Sequence, residues 1–472
     1  MFRTGYIWVI LLGAFQIQIQ VEAQGLIEVY DYRPAPGQFI NRAGTGTPGD
    51  AFSLEAETGG LVSLGGFGGY ITIRFTQPLF NEETNPYGVD FVIFGNAATE
   101  FSEPAAVMVS RDDNSNNIPD DPWYELAGSD YFFSSTVHEY KISYAEPGQE
   151  EEKISWVDNL GGSGYIVKNS FYTQNYYPSE GFDLEFYTGG CSFSGTRIQG
   201  FTDASDPYYI RSYPRKFGYA DNRPVKDRYN PDPDNPYTPE IEGMGGDAMD
   251  ISWAVDTAGR YVDLDRIDFL RIYTCAPGDF GPIGELSSEI TMIRDVYANP
   301  AVSGKESLLV AEELPALISP GKYQLRAHYF ISGRHQDTEN VRWEVLEGAA
   351  EITDGHVLVV NETGEIWIMA ELDDLVDFIE TKVTSSNTSS KNAEIEPGIQ
   401  VYPVPFDEKL TVSGMGIRSV TIYDTKGNAR FIKLDCADFQ ELILKDLEPG
   451  LYFIRITTDK GVENRRIVRT CC

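Results

Sequence analysis

The sequence predicts an all-β protein built from sandwich or jelly-roll modules. Three observations indicate this class. Short runs that alternate apolar and polar residues dominate the chain, and turn formers are abundant, with 45 glycines and 26 prolines. No apolar pattern with a helical period extends beyond a few turns. Many short strands separated by Gly, Pro, Asn and Asp are typical of sandwiches and jelly rolls.

The N-terminus has the pattern of a secretory signal peptide. Arg3 supplies a positive charge, Tyr6 to Phe15 form a short apolar run, and Val21 to Ala23 form a small-x-small cleavage site. Because the run is too short to span a bilayer comfortably, we expect residues 1–23 to be removed on export. A retained anchor is the alternative. No later segment is apolar enough to predict a transmembrane helix.

The charge balance disfavours two classes of partner. The formal net charge is -35, and such a surface repels phosphate backbones and anionic lipid headgroups. Nucleic acid and direct membrane docking are therefore poor predictions, whereas an acidic surface outside the cell suits divalent cations. Charge alone does not locate a site.

Cysteine and histidine give little support to a thiolate or histidine site. The five cysteines form no CxxC pair, and the sequence leaves open whether Cys191 and Cys275 pair in a disulfide. The histidines show neither an HExxH motif nor helical spacing: His138, His328, His335 and His356. No GxSxG or Walker-type loop is present.

Residues 24–298 are expected to form one large, aromatic-rich β-domain. Its clearest strand predictions are Tyr70 to Phe75, Asp90 to Asn96, Ala105 to Ser110 and Phe269 to Thr274. The segment Asp221 to Glu240 contains five prolines, which forbid a central strand, so we expect a long exposed loop there.

The stretch "SRDDNSNNIPDDPWYEL", Ser110 to Leu126, has the spacing of a calcium loop. Calcium takes several hard oxygens, and residues two apart in such a loop can surround one ion. The predicted ligands are Asp112, Asn114, Asn116, the carbonyl of Ile118, Asp120 and Asp121, with Glu125 as a distal ligand. The alternative is a polar turn whose Asx side chains bond their own backbone. Trp123 stands where an EF-hand has its bidentate Glu, and no helices flank the loop.

A second acidic cluster lies in "GMGGDAMDISWAVD", Gly243 to Asp256. Asp247 and Asp250 precede an apolar segment that Asp247 could cap. The alternative is an acidic or calcium site shared with the earlier strands. For a glycoside hydrolase, which needs two carboxyl groups at a set separation, the candidates are Glu103, Asp247 and Asp250.

Residues 299–382 contain regular strands such as "VRWEVLEGAAEITDGHVLVV". Trp343 followed by Gly-rich and Asp-Gly turns resembles bacterial immunoglobulin-like domains, which implies a spacer role. The Ser-, Thr- and Asn-rich stretch 383–398 is expected to be a flexible linker.

Residues 399–472 are expected to form a small β-sandwich. The segments "IQVYPVPFDEKLTV", "SVTIYDTKGN" and "LEPGLYFIRITTDKGVENRRIVR" occur in this order. Together they resemble the type A sorting domain of the Bacteroidetes type IX secretion system. That resemblance implies export across the outer membrane and the type IX secretion machinery as a partner. Val404 replaces the Asn of the usual Pro-Asn-Pro, and Cys471 and Cys472 follow the usual basic strand.

The large domain also resembles a known group of proteins. Its segments "GGYITIRF", "DFVIFGNA", "SGTRIQG", "FGYADNRP" and "GGDAMDISWAVD" are similar to secreted β-sandwich domains of Bacteroidetes cell-surface proteins. Some of these belong to uptake regions, including those for cobalamin, which implies ligand capture at the surface. The predicted ligand-binding residues are Trp123, Tyr124, Tyr208, Tyr209, Tyr219, Asp247 and Asp250.

The sequence therefore predicts a non-catalytic surface protein that captures a small extracellular ligand, either a glycan or a cobalamin-like molecule, and holds a structural calcium ion. Exposed aromatic side chains near acidic loops could stack on such a ligand. Two alternatives remain open: a secreted polysaccharide hydrolase, and a structural or adhesive surface component.

Overall fold

The architecture was analysed in a computed structural model, which describes residues 27–55, 60–148, 153–169, 171–204, 209–278, 284–338, 340–384, 400–402, 406–414, 416–424, 429–434, 439–459 and 461–470. The predicted signal peptide, most of the predicted linker, Tyr208, Val404 and the last two cysteines lie outside these residues. The chain divides into two compact units, residues 1–386 and 387–472.

The all-β prediction is confirmed in both units, since the described helices are single turns. The α-helices are α1 (Pro48–Ala51) and α2 (Leu184–Tyr187), and 3-10 turns cover Phe52–Leu54, Pro86–Gly88 and Ile251–Trp253. The strands of the large domain are β1 (Ile27–Arg33), β2 (Val62–Ser63), β3 (Tyr70–Phe80), β4 (Phe91–Phe94), β5 (Ala105–Ser110), β6 (Trp123–Leu126), β7 (Val137–Tyr144), β8 (Lys153–Asp158), β9 (Ser163–Val167), β10 (Cys191–Arg197), β11 (Phe201–Asp203), β12 (Arg211–Tyr213), β13 (Asp247–Met249), β14 (Ala254–Val255), β15 (Arg266–Thr274), β16 (Glu289–Ile290) and β17 (Met292–Asp295).

Two sheets dominate the large domain. The central sheet has the strand order β1-β3-β15-β5-β6-β14, and the aromatic sheet has the order β10-β7-β8-β9. β15 lies between β3 and β5, with Leu270 opposite both Ile73 and Val109. These residues are fully buried, which explains why the middle strands read as nearly continuous apolar runs. Smaller sheets complete the domain: β13-β4-β17, β16-β2 and β11-β12.

The proline-rich segment Asp221 to Glu240 differs from its prediction. It contains no regular strand, as expected, but only part of it is exposed: Tyr229 is 80% exposed, whereas residues 233–237 are buried. Tyr237 packs edge-on against Trp253 at a ring separation of 6.4 Å. The local composition indicated exposure, but the Tyr237 side chain is buried in the core of the large domain.

The immunoglobulin-like region is built from ten strands. These are β18 (Ser307–Ala311), β19 (Leu317–Ile318), β20 (Gly321–Gln324), β21 (Ala327–Ile331), β22 (Arg334–Gln336), β23 (Arg342–Glu347), β24 (Ala350–Thr353), β25 (Val357–Val360), β26 (Gly364–Leu372) and β27 (Leu375–Val383). They form three sheets, β18-β21-β22, β19-β27-β26-β23 and β20-β25-β24. β27 alternates strictly between buried and exposed positions, as expected for a strand with one solvated face.

This region has a core of its own, which includes Leu358 and Ile368, and it also contributes Val310 and Phe330 to the core of the large domain. Phe330 is fully buried and packs against Phe217 at a ring separation of 5.2 Å. The buried Arg215 guanidinium bridges the two regions, since it bonds Asp130 at 2.5 Å and Glu313 at 2.8 Å. Residues 307–383 belong to the same compact unit as the large domain. The spacer role implied by the resemblance stays a prediction.

The second unit is a small sandwich of two sheets. Its strands are β28 (Gln400–Tyr402), β29 (Lys409–Ser413), β30 (Ile417–Asp424), β31 (Ala429–Leu434), β32 (Phe439–Ile443), β33 (Gly450–Thr458) and β34 (Gly461–Arg469). The sheet orders are β28-β29-β32 and β31-β30-β33-β34. Alternate residues of each strand, such as Leu410 and Val412, fill its own core.

Candidate functional site

The loop between β5 and β6 brings the predicted calcium ligands together. Asp112 accepts the backbone N–H groups of Asn116 at 3.1 Å and of Asn117 at 2.8 Å. Asn114 Oδ1 also accepts the Asn116 N–H, at 2.9 Å. Asn117 adopts a φ of 58°, where a calcium loop commonly uses glycine.

Asp120 closes the loop from its other end. Its carboxylate accepts the side-chain amide groups of Asn114 at 3.2 Å and of Asn116 at 3.1 Å. The Ile118 carbonyl accepts the Asp120 N–H at 2.8 Å, and Asp121 accepts the Asp113 N–H at 3.2 Å. The geometry is consistent with oxygen ligation of a cation, and equally with the alternative of a turn held by Asx side chains.

Glu125 does not point into this loop. Its Oε2 accepts the Thr196 hydroxyl at 2.7 Å and the Tyr273 hydroxyl at 3.2 Å. Burial raises the pKa of Glu125 to about 7. The prediction of a distal calcium ligand is therefore wrong, because strand alternation turns this side chain toward the interior.

The aromatic residues predicted from the sequence are already engaged by the protein. The Trp123 ring lies under Arg271, 4.6 Å from its guanidinium carbon. Tyr209 donates its hydroxyl to Glu100 at 3.2 Å, and Tyr124 packs against the core of the large domain. Tyr219 is only 2% exposed, so the expectation that it offers an exposed ring is wrong.

Asp247 and Asp250 are both buried and serve local structure. Asp247 accepts the backbone N–H groups of Asn222 at 3.0 Å and Arg223 at 2.9 Å. Asp250, rather than Asp247, caps the following 3-10 turn by accepting the Ser252 N–H at 2.7 Å. Burial raises the pKa of both carboxyl groups, to about 7 for Asp250. Neither is accessible to a ligand at the surface.

The third hydrolase candidate, Glu103, belongs to a different cluster. It groups with Asp221 and Glu289, and one oxygen from each carboxylate lies within 4.8 Å of the others. Cys191 and Cys275, whose pairing the sequence left open, are both buried free thiols.

A groove that the sequence analysis missed lies against the aromatic sheet. It has a volume of about 810 Å³ and is lined by strands β7 to β9, the loop at Gly66, and residues 277–278 and 284–286. We call it the aromatic groove. Its aromatic lining consists of Phe67, Tyr140, Tyr144, Trp156, Tyr165 and Phe171.

The β8–β9 hairpin shapes this groove. Trp156 lies opposite Gly164 in the antiparallel register. A Cβ atom added at Gly164 would lie 2.6 Å from the Trp156 ring, so only glycine lets the ring lie across the neighbouring strand. Phe171 stands at the rim with 73% of its surface exposed.

Few polar groups accompany the aromatic rings. Tyr144 donates its hydroxyl to the Phe67 carbonyl at 3.1 Å, and burial raises its pKa well above the usual value. Asn169 donates to Gln38 Oε1 at 2.6 Å. Lys168 and Glu285 contribute opposite charges to the lining. An apolar groove with a few fixed polar groups is the usual form of a small-ligand site.

The sequence contained a signal for this groove, but a weak one. The apolar alternation of "KISWVD" followed by "GGSGYIV" predicts a hairpin with Trp156 and Ile166 on one face. The sequence does not predict that residues 277–278 and 284–286 form the opposite wall, because that contact joins segments more than a hundred residues apart.

The second unit can be identified by comparison with known proteins. Residues 400–470 match the family described as the secretion system C-terminal sorting domain. They form a type IX sorting domain. The sorting domain directs secretion to the cell surface and implies contact with the type IX secretion machinery. Its sandwich of β28 to β34 is the part of the chain on which this assignment depends.

The remaining comparisons concern architecture. Domains 3 and 4 of rat CD4 align with 12% identity and a TM-score of 0.12, over 34% of this chain and 94% of that one. Tandem Ig domains of titin align with 11% identity and a TM-score of 0.12, over 35% and 96%. No curated protein matches the sequence. Within the part of the chain that the structure describes, no helix has the length and apolarity needed to cross a bilayer.

Proposed function

We propose that this surface-delivered protein captures a neutral glycan in the aromatic groove. The observation that supports the proposal is an 810 Å³ groove with few polar groups, in which Tyr165 and Phe171 are exposed and Trp156 is half-buried. The other three aromatic lining residues, Phe67, Tyr140 and Tyr144, are buried in the core. Sugar rings have an apolar C–H face that packs on aromatic rings and a rim of hydroxyl groups that needs a few hydrogen-bonding partners. The net charge of -35 disfavours anionic polysaccharides.

The lining supports binding more than hydrolysis. Glycosidases use two carboxyl groups about 5 to 9.5 Å apart. Among the described lining residues, Glu285 is the one carboxylate, and it accepts the Gln38 backbone N–H. A carboxylate held in this way by the backbone is suited to fixing the wall of a groove.

We also propose that calcium binds the β5–β6 loop as a structural ion. Support comes from the side-chain oxygens of Asp112, Asn114, Asn116 and Asp120, which the loop gathers, with the Ile118 carbonyl and Asp121 beside them. Calcium prefers such oxygen ligands. Its function would be to stiffen the connection between two neighbouring strands of the central sheet.

Glycan capture can be tested on an array of neutral glycans, followed by calorimetry with the best ligand. Trp156→Ala and Phe171→Ala remove stacking area, so each should weaken binding at least tenfold. Phe52→Ala is a matched control, because Phe52 is an exposed phenylalanine, 55% accessible, outside the groove. It should bind like the wild type.

Three results would contradict the proposal. Retention of full affinity by both groove variants would place the ligand elsewhere. Reducing-sugar release during the same incubation would indicate a hydrolase. If the protein binds cobalamin and retains no glycan, its ligand is a cobalamin and not a glycan.

A further inference from the structure

A cluster of three carboxylates, two buried and one half-buried, lies outside the aromatic groove and the β5–β6 loop. Glu103 precedes β5, Asp221 begins the proline-rich segment with a φ of 51°, and Glu289 belongs to β16. One carboxylate oxygen from each residue lies within 4.8 Å of the other two. We call this group the carboxylate cluster.

Burial makes three neighbouring negative charges costly. Asp221 and Glu289 are both 0% exposed. Desolvation raises the pKa of all three groups, and the charge of Glu289 raises the pKa of Glu103 and Asp221 further. Among the described residues, no lysine or arginine forms an ion pair with any of the three. A buried charge requires a compensating partner, so the cluster takes up either protons or a cation.

The backbone holds the Asp221 carboxyl group in place. Its Oδ1 accepts the N–H groups of Asn96 at 2.8 Å and Ala97 at 2.9 Å, and its Oδ2 accepts the Glu289 N–H at 2.8 Å. Three backbone donors favour the ionised form of a carboxyl group. These three hydrogen bonds lower the pKa of Asp221, but burial raises it by more, so the pKa stays well above its usual value. The backbone thus fixes the position of this carboxyl group beside the other two.

Glu289 supplies the second, independent observation. Its Oε1 accepts the hydroxyls of Ser63 at 2.8 Å and Ser287 at 3.0 Å. No donor reaches its other oxygen, Oε2, in hydrogen-bond geometry, although this atom is fully buried. Side-chain interactions with Asn96 and Glu103 lower the pKa of Glu289, against the larger raising effect of burial. A buried oxygen without a donor is costly unless a cation or a proton occupies the adjacent space.

We propose that Glu103, Asp221 and Glu289 bind one divalent cation of the calcium class. All three supply hard oxygen ligands, and the hydroxyls of Ser63 and Ser287 lie beside Glu289 as further oxygens. Calcium takes six to eight such ligands. The ion supplies the positive charge that the cluster lacks and the partner that Glu289 Oε2 lacks. It thereby joins β16 to the start of β5 and to the proline-rich segment.

The experiment measures bound calcium in the full chain by mass spectrometry, after equilibration in CaCl₂ and removal of free ion. The double variant Asp112→Ala with Asp120→Ala is the starting protein, so that the β5–β6 loop contributes no ion. We expect one calcium per chain in this protein. Adding Glu289→Gln, which preserves the side-chain shape, should reduce the content at least tenfold.

Glu125→Gln in the same starting protein is the matched control, because the Glu125 carboxylate faces the interior but lies outside the cluster. This variant should still bind one calcium ion. No calcium in the starting protein would overturn the proposal and would mean that the carboxylates share protons instead. Equal calcium with and without Glu289→Gln would also overturn it. If Glu289→Gln does not fold, the content of the starting protein still decides the outcome. If the wild type binds the same amount of calcium as the starting protein, the β5–β6 loop binds no calcium. That result leaves the proposal for the carboxylate cluster intact.

Discussion

At the scale of single residues, burial determines the chemistry of the carboxyl groups in the large domain. Glu125 lies on β6 but directs its carboxylate to Thr196 and Tyr273. Desolvation raises the pKa of Glu125 from 4.5 to about 7, against the lowering effect of these two hydrogen bonds. Between about pH 4.5 and about pH 7, the folded protein therefore keeps the Glu125 carboxyl group protonated, whereas the unfolded chain has lost this proton.

This pKa predicts a pH-dependent effect of Glu125→Gln. Because the folded pKa lies above the unfolded one, the wild type loses stability as the pH rises from about 4.5 to about 7. The neutral glutamine avoids this loss. The variant should exceed the wild type in free energy of unfolding by about 1–3 kcal/mol at pH 8, and by little at pH 4.5.

Urea unfolding followed by tryptophan fluorescence at pH 4.5, 6 and 8 measures this difference. Other titrating groups are common to both proteins and cancel. A difference between the two proteins that stays constant across this range would contradict the assigned pKa.

The residues that the sequence analysis selected show what local pattern can and cannot predict. It located the polar loop of Asp112 to Asp121, because ligand spacing is a property of consecutive residues. It was wrong about the exposure of Tyr219 and about the direction of Glu125, because both depend on which strand packs opposite. His328 and His335 appeared scattered in the sequence, yet the β21–β22 hairpin places their rings 3.2 Å apart at the closest nitrogens.

At the scale of elements, the β5–β6 loop is a long connection between two adjacent strands of the central sheet. Its start is fixed by a hydrogen bond from the Asp112 N–H to Asp268 at 2.9 Å. Arg111 adds an ion pair to Asp265 at 2.8 Å. Arg74 donates to Asn117 Oδ1 at 2.8 Å, and the other hydrogen bonds described here lie within the loop. An ion bound there would therefore contribute directly to the order of the loop.

Calcium should therefore raise the melting temperature of the metal-free protein more in the wild type than in Asp112→Ala with Asp120→Ala. An ion at one hundred times its dissociation constant stabilises the folded state by about 2.7 kcal/mol. Scanning calorimetry with and without CaCl₂ measures the two shifts, and their difference is the contribution of the loop.

Asp113→Ala is the control for this comparison, because Asp113 is exposed in the same loop and pairs with Arg111. It should respond to calcium like the wild type. A double variant that keeps the entire calcium-dependent shift would rule out an ion in the loop and favour the turn held by Asx side chains.

The β8–β9 hairpin illustrates how an element creates a site. Trp156 requires the missing side chain of Gly164, and its neighbour Ile166 anchors the same face in the core. The sequence pattern predicts the two strands, but the opposite wall of the groove is formed by residues that are distant in the chain. Strand prediction was accurate for Ala105–Ser110 because its register and apolar character are local.

At the scale of the whole molecule, the chain contains two compact units with different tasks. Residues 1–386 contain the aromatic groove, the β5–β6 loop and the carboxylate cluster, and residues 387–472 contain the sorting domain. The sequence predicted the sorting domain because several motifs occur there in register. It did not predict that Phe330 of the immunoglobulin-like region packs into the core of the large domain, because Phe330 and Phe217 are far apart in the chain.

The central claim is that the second unit delivers the first to the cell surface, where the groove meets its ligand. Because each unit has its own core, removing residues 400–472 should leave the first unit folded. The deciding measurement is protease accessibility on intact cells expressing the full chain or the chain without these residues. We predict that the full chain is digested from outside and the truncated chain is protected inside the cell. Equal digestion of both proteins would contradict the account.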